Sequence, residues 1–490
     1  MIVAFLMQGV AILTSFICRT VFANLLSVEY LGLGGLFSNI ISVLSLSELG
    51  IGSVIIIHLY KPLADGDEIR ISKLMNFYRK AYNLIGCFVI ACGLLLLPFL
   101  KYLVKSDTEI PYLEVYFLLF VIQSASSYFF AYKQSLLTAA QKEYICSLVR
   151  QGFNILMNVL QIVFLLITKQ YIAYLVVAIA TNVGTNLVIS IITDRKYKYL
   201  GKNRSERLTR DETRGMLKNV SSMMLHKVGN TVINSTDNIL ISSMVGVLYT
   251  GLYSNYLLIM NVVTQVVTIV LNAMSASIGD FNARKSKEER KELFDAMMTF
   301  SFWVFGMSAI CFACLYQPTI ELWLGSDFLL GYDIVLIISV NFFVNGIIRI
   351  PSTFCDVCGL YTKTKLKPIL MAIINLAVSI VCLRLWGLVG VFVGTLVSYL
   401  AVAIWMDPYY LFKEEFKSSL VKYFVSLALN TAVVGAIGFV TYFAVGYISN
   451  YILKVAACVL ISNLLLFAVY FKTKSFGFIF ERAKMIIKRK

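Results

Sequence analysis

Fourteen runs of mostly apolar residues follow one another down this 490-residue chain. Each is about 20 residues or longer, enough for a helix to cross the roughly 30 Å hydrocarbon layer of a bilayer. They span 2–26, 32–58, 81–104, 112–137, 145–168, 170–192, 220–243, 250–278, 294–318, 329–350, 364–385, 387–406, 420–446 and 449–471. Backbone polar groups find no water in hydrocarbon, so such runs fold as helices, and the expected class is an all-α polytopic membrane protein. Composition leaves room for little else. With 59% hydrophobic and 14% charged residues, the chain holds no stretch able to build a sizeable water-soluble domain.

Orientation follows from the basic residues. Of the 43 Lys and Arg, 36 fall in 61–80, 133–150, 194–218, 284–291, 349–367, 413–422 and 472–490, the connections on one side of the membrane. This is the positive-inside pattern; it puts both termini in the cytoplasm and checks the count, because one missed helix would invert the bias halfway along. The net charge of +16 therefore reads as topology and contact with anionic lipid. Nucleic-acid binding is a poor reading, since the basic residues are dispersed among short loops. The first run begins at once, with no basic leader and no small-residue cleavage site, and reads as a retained helix.

Ten cysteines include two CxxC pairs, Cys311 with Cys314 and Cys355 with Cys358. A zinc site needs four ligands, and the chain adds only His58 and His226, so the cysteines read as small buried hydrophobes and no metal or other cofactor is expected. No phosphate-cradling glycine loop, HExxH or GxSxG is present, and the longest connections on the far side, near 104–111 and 319–328, are short for a glycan polymerase or ligase.

The chain repeats itself. YLGL at 30–33 returns as YTGL at 249–252, and Phe153-Asn154 in the fifth run corresponds to Ile374-Asn375 in the eleventh. Residues 1–193 and 220–406 thus read as two six-helix bundles in parallel, starting on the same side. The basic segment 194–219 joins them, and 407–490 adds two helices and a basic amphipathic tail, ERAKMIIKRK.

Polar residues lie in stripes at about 100° per residue. Gln8, Ser15 and Arg19 share one side of the first run, and His226, Asn230, Asn234 and Asp237 one arc of the seventh, with Lys227 beside it. Asn261, Gln265, Thr268 and Asn272 line the eighth; Gln123, Ser127, Gln134 and Thr138 the fourth; Gln151, Asn154, Asn158 and Gln161 the fifth; Asn341, Asn345 and Arg349 the tenth. Taken singly, such residues are interhelical glue, worth about 0.6 kcal/mol each. As a set they suit a shared wet cavity, rich in amides and hydroxyls, for a hydroxylated solute such as a sugar. Arg19 reads as a snorkelling residue, an ion-pair member or an anion ligand whose fork matches phosphate oxygens. Lys227 divides between snorkelling and the same anion. Asp237 is either the ion-pair partner of Arg19 or a cation or proton site. Glu48, in SLSELGIG, caps a broken helix or couples an ion, and His226 is a helix-end hydrogen-bonding residue or a proton site.

The arrangement of runs, together with LHKVGNTVINSTDNILIS (225–242), GLYSNYLLI (251–259), YLGLGGLFSNIISVLSLSELGIG (30–52) and GLYTKTKLKPILMAIINL (359–376), resembles the polysaccharide transporter family. That family includes the Wzx-type flippases of lipid-linked oligosaccharides, within the superfamily of multidrug, oligosaccharidyl-lipid and polysaccharide flippases. The resemblance implies a V-shaped pair of bundles with alternating access between helices one, two, seven and eight. It implies a cargo of undecaprenyl-diphosphate-linked oligosaccharide, moved to the outer leaflet of a bacterial cytoplasmic membrane for O-antigen, capsule, exopolysaccharide or teichuronic acid. Arg19 and Lys227 would hold the diphosphate; Gln8, Ser15, Asn230, Asn234, Asn261, Gln265 and Asn272 would line the sugar cavity. Asp237, Glu48 and His226 are the candidates for ion coupling or ion pairing. Glycosyltransferases and a polysaccharide polymerase are the implied partners. The missing basic N-terminal segment departs from the family pattern. A drug or organic-cation antiporter is the competing transporter, but such a cavity needs carboxylates to attract cations. Here Arg19 and Lys227 stand against Asp237 and Glu48.

Overall fold

The computed structural model describes residues 2–48, 51–106, 109–214, 216, 231, 235–284, 286–360 and 363–478, with the side chains of 2–6, 47, 53, 269–270 and 272–284 outside that description. Among the described residues the chain is helical and has no strand. It divides into two compact units, Met1–Ser254 and Asn255–Lys490. The first contains α1 (Ile2–Leu25), α2 (Val28–Leu44), α3 (Ile51–Asp65), α4 (Glu68–Leu96), α5 (Leu113–Ala139), α6 (Glu143–Thr168), α7 (Tyr171–Lys196) and the opening turns of α8 (Val247–Arg284). The second contains the rest of α8, then α9 (Lys287–Leu324), α10 (Tyr332–Val357), α11 (Lys367–Trp386), α12 (Leu388–Phe416), α13 (Leu420–Gly446) and α14 (Tyr451–Tyr470).

Eleven helices among the described residues are long and apolar enough to cross a membrane, so this is a multi-pass membrane protein. The expected fourteen are not reached among them, for separate reasons. The run 32–58 is broken into α2 and α3; most of 220–243 lies outside the described residues; and much of the apolar C-terminal half of α8, 38 residues long, has its side chains outside that description. The connection expected at 319–328 is helical as far as Leu324.

Two aromatic side chains of α4 occupy the break in the second run. After α2 a 3₁₀ turn covers Ser45–Glu48, and α3 begins at Ile51. The Tyr78 hydroxyl donates to the Ile51 and Gly52 carbonyls at 3.1 and 2.6 Å, and the Tyr82 hydroxyl donates to Glu48 Oε1 at 2.8 Å. These phenols tie α4 to the break, giving their protons to carbonyls in the first turn of α3 and to the carboxylate at the end of the 3₁₀ turn.

The glycines of the two repeat signatures meet. A Cβ on Gly32 would fall on the Val247 carbonyl oxygen, and one on Gly251 would fall on the Val28 carbonyl oxygen. Only glycine lets two helices approach this closely, so α2 and the start of α8 cross main chain against main chain. Beside the crossing, Lys105 N–H donates to the Ser242 carbonyl (3.1 Å) and Val247 N–H to the Lys105 carbonyl (2.8 Å). A π-helical turn, Ile241–Val245, leads into the contact.

In the second unit α11 and α12 pack closely, and α9 packs against α10, α13 and α14. A Cβ on Gly394 would stand 2.6 Å from the Ser379 backbone nitrogen. The two helices after 407 therefore belong to this unit, tied in part by Trp303 Nε1–H donating to Asn463 Oδ1 at 3.0 Å. The tail segment ERAKMIIKRK lies outside the described residues.

Candidate functional site

Arg19 sits in the C-terminal half of α1, and its side chain is half-buried. Its Nη1 donates to Ser254 Oγ at 3.3 Å, while that hydroxyl gives its own proton to the Gly251 carbonyl at 2.7 Å. The phenols of Tyr171 and Tyr174 are its electrostatic neighbours. These rings belong to an aromatic cluster: Phe22 lies 4.9 Å from Tyr174, and Tyr171 lies 4.8 Å from Tyr30 and 5.0 Å from Tyr116, centroid to centroid. Among the described residues Arg19 makes no ion pair, and the pairing expected with Asp237 does not form. Its guanidinium commits one N–H, leaving the other donors without a partner among the described residues.

Asp237 is half-buried, in the helical residues just before the π turn, and is engaged in an interaction of its own. Glu48 pairs with no cation among the described residues; it accepts from the Tyr82 hydroxyl at the helix break rather than capping a helix. His226, Lys227, Asn230 and Asn234 lie outside the described residues, as does the side chain of Asn272. Asn261 and Gln265 are exposed along α8. Ser15 is half-buried with no hydrogen bond among the described residues.

The polar stripes divide into two kinds. On α6, Gln151 Nε2–H donates to Gln8 Oε1 of α1, Asn158 Nδ2–H to Thr14 Oγ1 (3.2 Å), and Gln161 accepts from Cys18 while donating to the Tyr174 carbonyl (3.2 Å). Here amides seal a helix seam, and Gln8, expected in a sugar cavity, is part of that seal. On α10, Asn341 donates to the Phe392 carbonyl and Asn345 to the Tyr399 hydroxyl, both at 2.9 Å, while Arg349 donates to Thr268 Oγ1 at 3.0 Å. Gln123 and Gln134 on α5 and Asn154 on α6 make no side-chain hydrogen bond among the described residues.

Sequence reasoning missed Asp407, almost fully buried in α12 and paired with Lys367, which also donates to Ser352 Oγ at 2.9 Å. The signal was there, a lone carboxylate in the apolar run AIWMDPYY. Among the described residues no cluster of His, Cys, Asp and Glu could hold a metal ion; Cys311 and Cys458 come within 3.9 Å as thiols.

Residues 21–330 match the family described as Polysaccharide biosynthesis protein. No curated protein sequence matches the chain. Among solved structures, the lipid II flippase MurJ in its inward closed conformation superposes with a TM-score of 0.69 at 15% identity, over 96% of this chain and 99% of that one. The inward-facing conformation of a multidrug-resistance MATE transporter of the MOP superfamily gives 0.66 at 12% identity, over 82% and 96%. The MATE multidrug transporter DinF-BH gives 0.60 at 16%, over 85% and 95%. These neighbours are transporters and a flippase, not enzymes. The chain belongs to the polysaccharide biosynthesis protein family and has the membrane fold of MOP-superfamily transporters.

Proposed function

We propose that this protein is a flippase for a polyprenyl-diphosphate-linked oligosaccharide, moving the headgroup from the cytoplasmic to the outer leaflet of a bacterial cytoplasmic membrane. The observation that carries the reading is Arg19: a guanidinium on a bilayer-crossing helix with no carboxylate partner among the described residues. A charge at such depth is costly unless something compensates it, and a diphosphate that comes and goes is a compensating partner of the right sign and geometry. An organic cation is not.

A diphosphate with about two negative charges gains up to roughly 4.6 kcal/mol per 100 mV on moving outward across an inside-negative membrane, twice the value per elementary charge. Asp237 and Glu48 remain the candidates for ion coupling, with Lys227 as a second phosphate ligand. Glycosyltransferases that build the cargo and a polymerase that consumes it are the partners this role requires.

The test is translocation in reconstituted vesicles of a fluorescent polyprenyl-diphosphate sugar. Movement should require the protein and fall at least tenfold for Arg19→Ala, with partial recovery in Arg19→Lys. Equal movement with and without protein would reject the flippase, and efflux of a lipophilic cation in the same vesicles would establish the antiporter instead.

A further inference from the structure

Between α5, α6 and α7 lies a cavity of about 440 Å³, contained within the first unit and lined by side chains from all three helices. Its volume falls in the range of small-molecule sites. Three carboxamides, Gln123, Gln134 and Asn154, line it and make no hydrogen bond to any described residue. All three belong to helices apolar enough to cross a bilayer. Asn154 is exposed and Gln123 and Gln134 are half-buried, so these amides open on the cavity and need water or an occupant as partner.

The lining decides what the occupant is. No Asp or Glu contributes, so a cation finds no counter-charge. Arg150 stands at the wall but is already paired with Glu143, so an anion finds no free positive charge either. What remains is a neutral surface whose amides both give and accept hydrogen bonds, with the Phe153 ring beside them. A sugar meets that description from the other side, with hydroxyls that donate and accept and an apolar ring face that packs on an aromatic.

We propose that this cavity is a carbohydrate subsite for the headgroup of the cargo, separate from the arginine that holds the phosphates. The inference rests on the flippase reading and adds to it a division of labour within one unit. On α6 Gln151, Asn158 and Gln161 bond to α1 while Asn154 lines the cavity, so substitution of Asn154 removes none of the seam's own hydrogen bonds.

The experiment compares probes that share a fluorescent polyprenyl diphosphate and carry no sugar, one glucose or one N-acetylglucosamine. Translocation and equilibrium binding in detergent are measured for the full-length protein and for Gln123→Leu, Gln134→Leu and Asn154→Leu, singly and together. The expected result is a fall of at least fivefold in the preference for either sugar-bearing probe over the sugar-free one in the triple variant, in binding as well as in transport. An equal loss for all probes, or an unchanged preference, overturns the subsite. Should wild type translocate none of the probes yet bind sugar-bearing ones with a preference that the triple variant loses, the flippase reading falls and the subsite stands. Asn154→Gln, which keeps the carboxamide, should retain at least half of the preference, a recovery that a purely structural role would not give.

Discussion

Two asparagines that the sequence repeat would align meet opposite surroundings. The match of Phe153-Asn154 with Ile374-Asn375 aligns α6 with α11. Asn154 faces an open cavity without a partner, whereas Asn375 is fully buried and donates to Thr395 Oγ1 of α12 at 2.9 Å. Around Asn375 the packing is closed: Ser379 Oγ donates to the Val391 carbonyl at 3.1 Å, and Gly394 leaves no space for a methyl group. One helix trio is closely packed around its asparagine, and the other holds a polar hollow. A repeated fold therefore does not imply a repeated site; the difference lies in whether small residues let the helices close.

The strongest way to break that comparison is Gly394→Val. The added side chain must displace the Ser379 main chain, and the destabilisation should reach about 3 kcal/mol, the upper end of the usual overpacking range, read as a lowered thermal midpoint in detergent. A smaller change separates the asparagines directly. Asn375→Leu should destabilise by about 1 kcal/mol by breaking a buried interhelical hydrogen bond, while Asn154→Leu should stay within about 0.5 kcal/mol of wild type. Equal costs at the two positions would mean that Asn154 is glue after all.

The smallest effect lies in the basic segment 194–219. The Thr209 N–H, donating at 2.8 Å, and the Arg70 guanidinium hold the Glu212 carboxyl down to about 2 from its ordinary 4.5. Because the folded value is the lower one, this tie is fully present above about pH 4.5 and is lost as pH falls towards 2. Amide exchange at Thr213 and Arg214 should quicken across that window in wild type, and Glu212→Gln should remove the pH dependence.

The helices were legible in the sequence because hydrocarbon thickness dictates their length and leaves no other backbone structure available. The polar stripes were legible only as stripes. Helical periodicity says which residues share a face, and it placed Gln151, Asn154, Asn158 and Gln161 together. It does not say which neighbour stands opposite, and that decides that three of them seal a seam and one opens on a cavity. Glu48 illustrates the same limit. Its position in a broken helix could be read from the flanking glycines, but its phenol partner comes from a different helix, 34 residues along the chain. Asp407 was passed over because it falls at the end of an apolar run, where a charge reads as the start of a loop. Only the packed structure shows Lys367 reaching it.

The meeting of Gly32 with Val247, and of Gly251 with Val28, has a consequence for how such a molecule can vary. A joint whose nearest contacts are main chain, flanked by the stiff side chains of Val28 and Val247, has few rotamers to rearrange when the angle between its helices changes, so it can act as a bearing. For the same reason it offers no polar side chain through which selectivity could be tuned. Alterations at these glycines should therefore appear as a seized or unseated pivot, whatever the cargo.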